Sequence, residues 1–232
     1  MIKFFENIPK VLAVMSERED GSMKLFADIG LNLEKRKIFF EKIGISKNKI
    51  ISAEIIHGTS VEIVDNKSPK LILDADGLIT KNKHVFLSAT VADCIPVYFY
   101  EPKEKIVAVI HCGWRGIVGG IIKNATKKIL ALKGKTESLK VVLGPGINKC
   151  HFEIKEDVLD KFANHIEFII KKDNKIFVDL KGIIKEQLIA SGVDLKNIEN
   201  NDECTMEKDN YFSFRRDKPK LIEAMIAVIG LV

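Results

Sequence analysis

The chain has few of the residues that would mark an unusual class. Four cysteines among 232 residues cannot staple a disulfide scaffold. Six prolines and fifteen glycines exclude a collagenous or low-complexity chain. Nowhere do 18 apolar residues follow one another, so no membrane-spanning helix and no membrane partner are expected. Residues 1–10 carry Lys3, Glu6, Asn7 and Pro9 and lack the apolar stretch and cleavage site of a signal peptide. With no paired cysteine spacing either, a reducing cytoplasm is the expected location. Arginine is scarce: Arg18, Arg36, Arg115, Arg215 and Arg216 stand against 32 lysines.

A hydrophobic fraction of 46% excludes disorder. The length suits one domain over residues 1–232, burying roughly 70–75% of the unfolded chain's surface. Net charge is +5, but lysine is a mobile, hydrated point charge. A lysine-dominated mixed surface therefore reads as solubility, and no nucleic-acid partner is expected. The few arginines, planar forks suited to phosphate or carboxylate, mark where anion recognition should be sought.

Hydrophobic periodicity predicts strands over 24–28, 50–56, 85–89, 95–100, 105–110, 141–143, 211–214 and 221–229. It predicts helices over 34–43, with Ile38, Phe39 and Ile43 facing inward, over 117–132, over 156–165, and over 180–191 with Asp179 as N-cap. Strands outnumber what a doubly wound parallel fold needs. The expected class is therefore α+β, with mixed β-sheets stacked and helices packed outside.

Three constellations carry chemistry. His57, Cys94 and His111 each stand at a strand end, where distant residues can share one rim. A thiolate with two imidazoles is a zinc set, and three protein ligands leave the open position of a catalytic site. Their spacings of 37 and 17 residues are unlike a zinc finger's, so a core cysteine and two satisfied histidines is the favoured reading at this point. The turn His111-Cys112-Gly113-Trp114-Arg115-Gly116 joins a strand to a helix and suits an anion, with Arg115 as its fork; a plain turn plugged by Trp114 is the alternative. Arg215 and Arg216, following an expected strand, would point to opposite faces, so at most one meets the site; a surface pair beside Asp217 is the reading these residues favour on their own. Asp74-Ala75-Asp76-Gly77 reads first as a turn, with orientation of a ligand histidine by Asp76 as the alternative. Cys112, Cys150 and Cys204 lack paired spacing and read as structural, and His84, His151 and His165 as surface or turn residues.

Taken in order, His57-Gly58, Asp76-Gly77-Leu78-Ile79-Thr80, Ala92-Asp93-Cys94-Ile95-Pro96-Val97, His111-Cys112-Gly113-Trp114-Arg115-Gly116, Gly144-Pro145 and Phe212-Ser213-Phe214-Arg215-Arg216 resemble the YfiH family. That family is also called the laccase-domain or polyphenol oxidase family, peptidoglycan editing factor and purine nucleoside phosphorylase. The resemblance runs from about Leu31 to the C-terminus. It implies a single-domain YfiH-like, cysteine-hydrolase-like fold. It also implies that His57, Cys94 and His111 are metal ligands and catalytic residues, that Arg36 lies near the same pocket, and that Asp93 is a supporting carboxylate. The chain departs from the family pattern at Lys35, Ile55, Val91, Cys112 and Lys218-Pro219-Lys220.

The function implied is a zinc-dependent purine nucleoside phosphorylase. It would convert adenosine, inosine, guanosine or methylthioadenosine plus phosphate to base and ribose-1-phosphate, with adenosine deaminase as a side activity. Arg36, Arg115, Arg215 and Arg216 would serve phosphate or substrate, in a monomer or homodimer. The alternatives are a copper-dependent phenol oxidase, for which no methionine lies near the motifs as axial ligand, and a cysteine hydrolase using Cys94 and His111. A structural zinc module would require a fourth ligand that the motifs do not supply.

Overall fold

A computed structural model describes residues 1–25 and 32–232. Most of the strand expected over 24–28 lies outside the described residues, and Lys24 and Leu25 have no regular structure.

Two six-stranded mixed sheets are stacked face to face. The first has the order β1 (Ile2–Phe4), β2 (Val11–Met15), β15 (Met225–Leu231), β7 (Phe86–Val91), β3 (Ile50–Ala53), β5 (Leu71–Ile72). The second has β14 (Ile198–Asn200), β10 (Lys140–Leu143), β8 (Ile95–Glu101), β9 (Ile106–Cys112), β6 (Gly77–Thr80), β4 (Val61–Ile63). A small third sheet joins β11 (Glu153–Ile154), β13 (Lys175–Val178) and β12 (Ile169–Lys172). Among the described residues no helix is long and apolar enough to cross a membrane.

The strands explain the layering. In β9, Val107 and Val109 enter the core between the sheets, while Ile106, Ala108 and Ile110 face the opposite way. In β15, Met225, Ala227 and Ile229 face between the sheets, and Ile226 and Val228 face outward. Both faces are covered, so these strands read as unbroken apolar runs rather than alternating ones. Helix α1 (Leu33–Lys42) covers the outer face of the first sheet through Phe39 and Phe40. Helices α2 (Trp114–Val118), α3 (Ile121–Ala131) and α5 (Leu180–Ala190) cover the second. Each fully buried isoleucine of α3 is worth about 1.5–3 kcal/mol of hydrophobic burial. The expected class, stacked mixed sheets with helices outside, is the one observed.

Several local expectations are corrected. The helix expected over 117–132 is broken: α2 ends at Gly119, and Gly120, with φ of 86°, turns the chain before α3 begins. The chain needs a residue without Cβ there. On α1 Ile38 is exposed and Arg36 is buried, because a buried arginine breaks the apolar stripe that periodicity detects. The segment 156–165 makes one α-helical turn, α4 (Glu156–Leu159), then a kinked 3-10 stretch over Asp160–Phe168. Residues 211–214 form no strand. Ser213 instead caps the short helix α6 (Phe214–Asp217), its hydroxyl accepting from the Arg216 amide at 3.1 Å. The last strand begins at Met225, not Leu221.

Candidate metal centre

Strand register brings the three zinc-type side chains together. Antiparallel pairing of β8 with β9 sets Ile95 opposite Cys112 and Pro96 opposite His111, so Cys94 leaves β8 beside the end of β9. Pairing of β6 with β9 sets Gly77 opposite Ile110, and the His111 amide donates to the Asp76 carbonyl at 2.7 Å. Parallel pairing of β4 with β6 sets Val61 opposite Gly77, which lays the 54–60 loop, and His57 with it, over Asp76.

One ligand atom from each of His57, Cys94 and His111 lies within 4.8 Å of the others. The two imidazoles meet edge to face with centroids 4.9 Å apart. His111 is buried, Cys94 half-buried and His57 exposed, so the cluster is open on one side. Asp76 organises it. Its Oδ1 faces His111 Nδ1 at 3.0 Å and accepts the His57 amide at 2.9 Å, and its Oδ2 accepts the Gly58 amide at 2.7 Å. With Nδ1 taken, Nε2 of His111 is the atom left for a ligand. His57 and Asp93 hold φ of 61° and 77°, left-handed conformations that cost a non-glycine residue and persist where surrounding structure imposes them.

Gly113 completes the cradle. A Cβ there would stand 3.2 Å from both Cys94 Sγ and His57 Cδ2. A Cβ at Gly116 would stand 2.7 Å from the Gly58 carbonyl, so α2 packs its bare backbone against the His57 loop. Burial disfavours the Cys94 thiolate, but the charge and hydrogen bond of His111, then those of His57, overcome this and lower the thiol to about 6. Burial also disfavours a charged His111, and the facing Cys94 and Asp76 raise it to about 9. Burial likewise works against ionised Asp76, yet the hydrogen bonds of His111 and Gly58 hold its carboxyl below the usual range. A thiolate, two imidazoles and a carboxylate behind one of them suit a borderline-soft divalent cation.

A cavity of about 390 Å³ opens over the cluster, lined among others by Trp114, Arg115, Phe152, Phe214 and Arg215. Arg115 lies on the Trp114 ring at 4.4 Å, and Arg215 on the Phe152 ring at 5.5 Å. Because α2 spans only five residues, an anion here would be held by Arg115 more than by the helix dipole. Arg216 does not reach the cavity lining. Its guanidinium pairs with Asp217 and donates to the carbonyls of Thr205, Met206, Lys208 and Tyr211. Among the described contacts the Asp93 side chain hydrogen-bonds to neither histidine. Its Oδ1 accepts from Thr205 Oγ1 at 2.7 Å and its Oδ2 from the Arg215 amide at 2.7 Å. Arg36 lines a smaller adjoining cavity of about 240 Å³, which shares Lys24, Ile55 and Thr90 with the larger one.

A family model described as multi-copper polyphenol oxidoreductase laccase matches residues 31–232. The chain belongs to this laccase family. Among relatives of this family member, a purine nucleoside phosphorylase of Staphylococcus epidermidis is 33% identical over 192 residues, covering 79% of this chain and 69% of its own. A purine nucleoside phosphorylase of Deinococcus radiodurans is 28% identical over 200 residues, covering 85% and 76%. An adenosine deaminase from an unknown prokaryotic organism is 26% identical over 199 residues, covering 79% and 76%. The fold matches that of YlmD from Geobacillus stearothermophilus with a TM-score of 0.87 at 24% identity, over 97% of this chain and 93% of the other. It matches YfiH of Bacillus licheniformis with a TM-score of 0.86, also at 24% identity, over 96% and 93%.

Two groupings were not foreseen from the sequence, one of them His165 with Glu167 and Glu186. Cys150, His151 and Cys204, read as structural or surface residues, converge in a second cluster. Only the adjacency of Cys150 and His151 hinted at it.

Proposed function

We propose that this laccase-family chain is a zinc enzyme of purine nucleosides, cleaving them with phosphate and deaminating adenosine as a side reaction. The observation that carries this reading is that the zinc-type triad, an aromatic wall and two arginines meet over one cavity. The relatives named for purine nucleoside chemistry support it. His57, Cys94 and His111 would hold the ion, which would supply Lewis acidity beside the bound nucleoside.

The remaining work falls to side chains of this chain. Trp114, Phe152 and Phe214 give the flat purine apolar surface to stack on. Arg115 and Arg215, already stacked on aromatic rings, offer forks to phosphate next to the ribose. Phosphate oxygen attacks the anomeric carbon as the bond to the purine nitrogen breaks. The bonding pair leaves with the base, which takes up a proton. The products are base and ribose-1-phosphate. In the side reaction water replaces the amino group of adenosine, giving inosine and ammonia.

Among the described residues Asp93 is the one carboxylate lining the larger cavity, and both its oxygens are engaged. Buried Arg36 has hydrogen bonds to the Met23 carbonyl and Ser52 Oγ at 2.8 and 2.9 Å and lies on Phe40. Its side chain forms none of the described ion pairs, and burial lowers it to about 10. A buried cation with no ion-pair partner among the described residues, beside the cavity, supports a second anion contact there. Zinc is favoured over copper because no methionine is among the described residues lining the cavity to act as the weak axial ligand of a blue-copper site. Incubation with labelled adenosine and phosphate tests the reading. Adenine with ribose-1-phosphate is expected, inosine appears when phosphate is withheld, and intact adenosine under both conditions refutes it.

The thiolate–imidazolium pairing of Cys94 with His111 favours one second reading, a cysteine hydrolase. Full activity in the metal-free protein, abolished by thiol alkylation, would establish it in place of the first.

A further inference from the structure

The second cluster lies at the meeting of two loops, 144–152 after β10 and 201–208 after β14. The Gly146–Cys204 bridge joins them, with the Thr205 amide donating to the Gly146 carbonyl at 3.1 Å. His151 Nδ1 stands 3.2 Å from Cys150 Sγ and 3.6 Å from Cys204 Sγ. Glu207 Oε1 stands 3.6 Å from the same nitrogen. The amides of Glu207 and Lys208 both return to the Cys204 carbonyl at 3.1 Å, and this turn folds the glutamate back over the cysteine.

A tetrahedral zinc with bonds of about 2.3 Å to sulfur and about 2.0–2.2 Å to nitrogen or oxygen spaces its donors about 3.3–3.8 Å apart. The three separations from His151 Nδ1 fall on or beside that range, and the two sulfurs and that nitrogen all lie within 4.8 Å of one another. The Asn148 amide donates to Cys204 Sγ at 3.4 Å, the kind of contact that steadies a thiolate, and Asn148 is itself tied to the Asp202 carbonyl at 2.7 Å. The two sulfurs and the imidazole are grouped already; with the Glu207 carboxylate, 3.6 Å from the imidazole nitrogen, drawn in as the fourth donor, no position would be left open, which is the structural rather than the catalytic arrangement.

We propose that Cys150, His151, Cys204 and Glu207 form a second, structural zinc site that ties the 144–152 loop to the 201–208 loop. The tie bears on the first cluster through Asp93, next to Cys94. The Ile147 amide of one loop donates to the Asp93 carbonyl at 2.8 Å, and Thr205 of the other loop donates to its carboxylate. Closing the two loops on a metal fixes both of these grips. The inference does not depend on the activity proposed above.

Cobalt(II) added under a reducing agent to chelator-stripped Cys94→Ala protein reads the second site alone. One equivalent is expected to bind with an intense thiolate-to-cobalt charge-transfer band, and the thermal midpoint is expected to rise with added metal. Adding Cys150→Ser or His151→Ala, at positions exposed or half-exposed, should abolish the band and the midpoint rise while the circular dichroism of the stripped protein stays unchanged. In the otherwise wild-type chain, two equivalents should fall to one on Cys150→Ser. Absence of the band in Cys94→Ala, or a band and stoichiometry indifferent to Cys150→Ser and His151→Ala, overturns the proposal.

Discussion

His111 Nδ1 faces Asp76 Oδ1 at 3.0 Å, and both side chains are sealed from solvent, at 2% and 0% exposure. The same carboxylate gathers the His57 and Gly58 amides, so one residue fixes the ring of one candidate ligand and the backbone of another. Asp76→Asn keeps the volume but removes the charge. Zinc affinity, measured by competition with a chromophoric chelator, should fall about 10–100-fold. Unchanged affinity would show that Asp76 serves the fold alone.

Gly113 has an ordinary φ of −77°, so Gly113→Ala tests space and not backbone strain. Its methyl would press on Cys94 Sγ and His57 Cδ2. Metal binding should drop sharply, at a stability cost of about 1–3 kcal/mol for overpacking. Denaturant unfolding alongside metal titration separates the two effects.

In the metal-free protein the Cys94 thiol is lowered from 9.0 to about 6. A group with a depressed pKa is ionised above that value and protonated below it. Iodoacetamide should therefore modify Cys94 at a rate that is flat above about pH 7 and declines as pH falls through about 6. His111→Ala removes the largest source of the lowering and should move the inflection back towards the ordinary thiol range. An inflection near 9 in the unaltered protein would contradict the pairing.

Arg36→Met replaces a buried cation, one without an ion-pair partner among the described residues, with an apolar chain of similar reach. Stability should hold or rise, as it does when buried charges give way to packed hydrophobes, while KM for phosphate rises. A lower thermal midpoint with unchanged KM would assign Arg36 to the fold.

How much of this was legible in the sequence depended on distance along the chain. His111-Cys112-Gly113-Trp114-Arg115-Gly116 lies in one strand–turn–helix, so its geometry could be read locally. The stacked sheets followed from strand count. Arg216 misled because the expected strand at 211–214 gave way to a Ser213-capped helical turn, whose arginine turns back onto backbone carbonyls. The burial of Arg36 was invisible to periodicity, which looks for apolar residues. The second cluster was hidden for a different reason. His151 and Cys204 are 53 residues apart and are brought together by the Gly146–Cys204 bridge, a tertiary contact with no local signal.

The most direct test of the central claim measures zinc content and nucleoside phosphorolysis together on wild-type protein and Cys94→Ala. Cys94→Ala should lose one equivalent of zinc and, with it, conversion of adenosine and phosphate to adenine and ribose-1-phosphate. Phosphorolysis that survives loss of that zinc, or zinc retained in full by Cys94→Ala, would contradict the account.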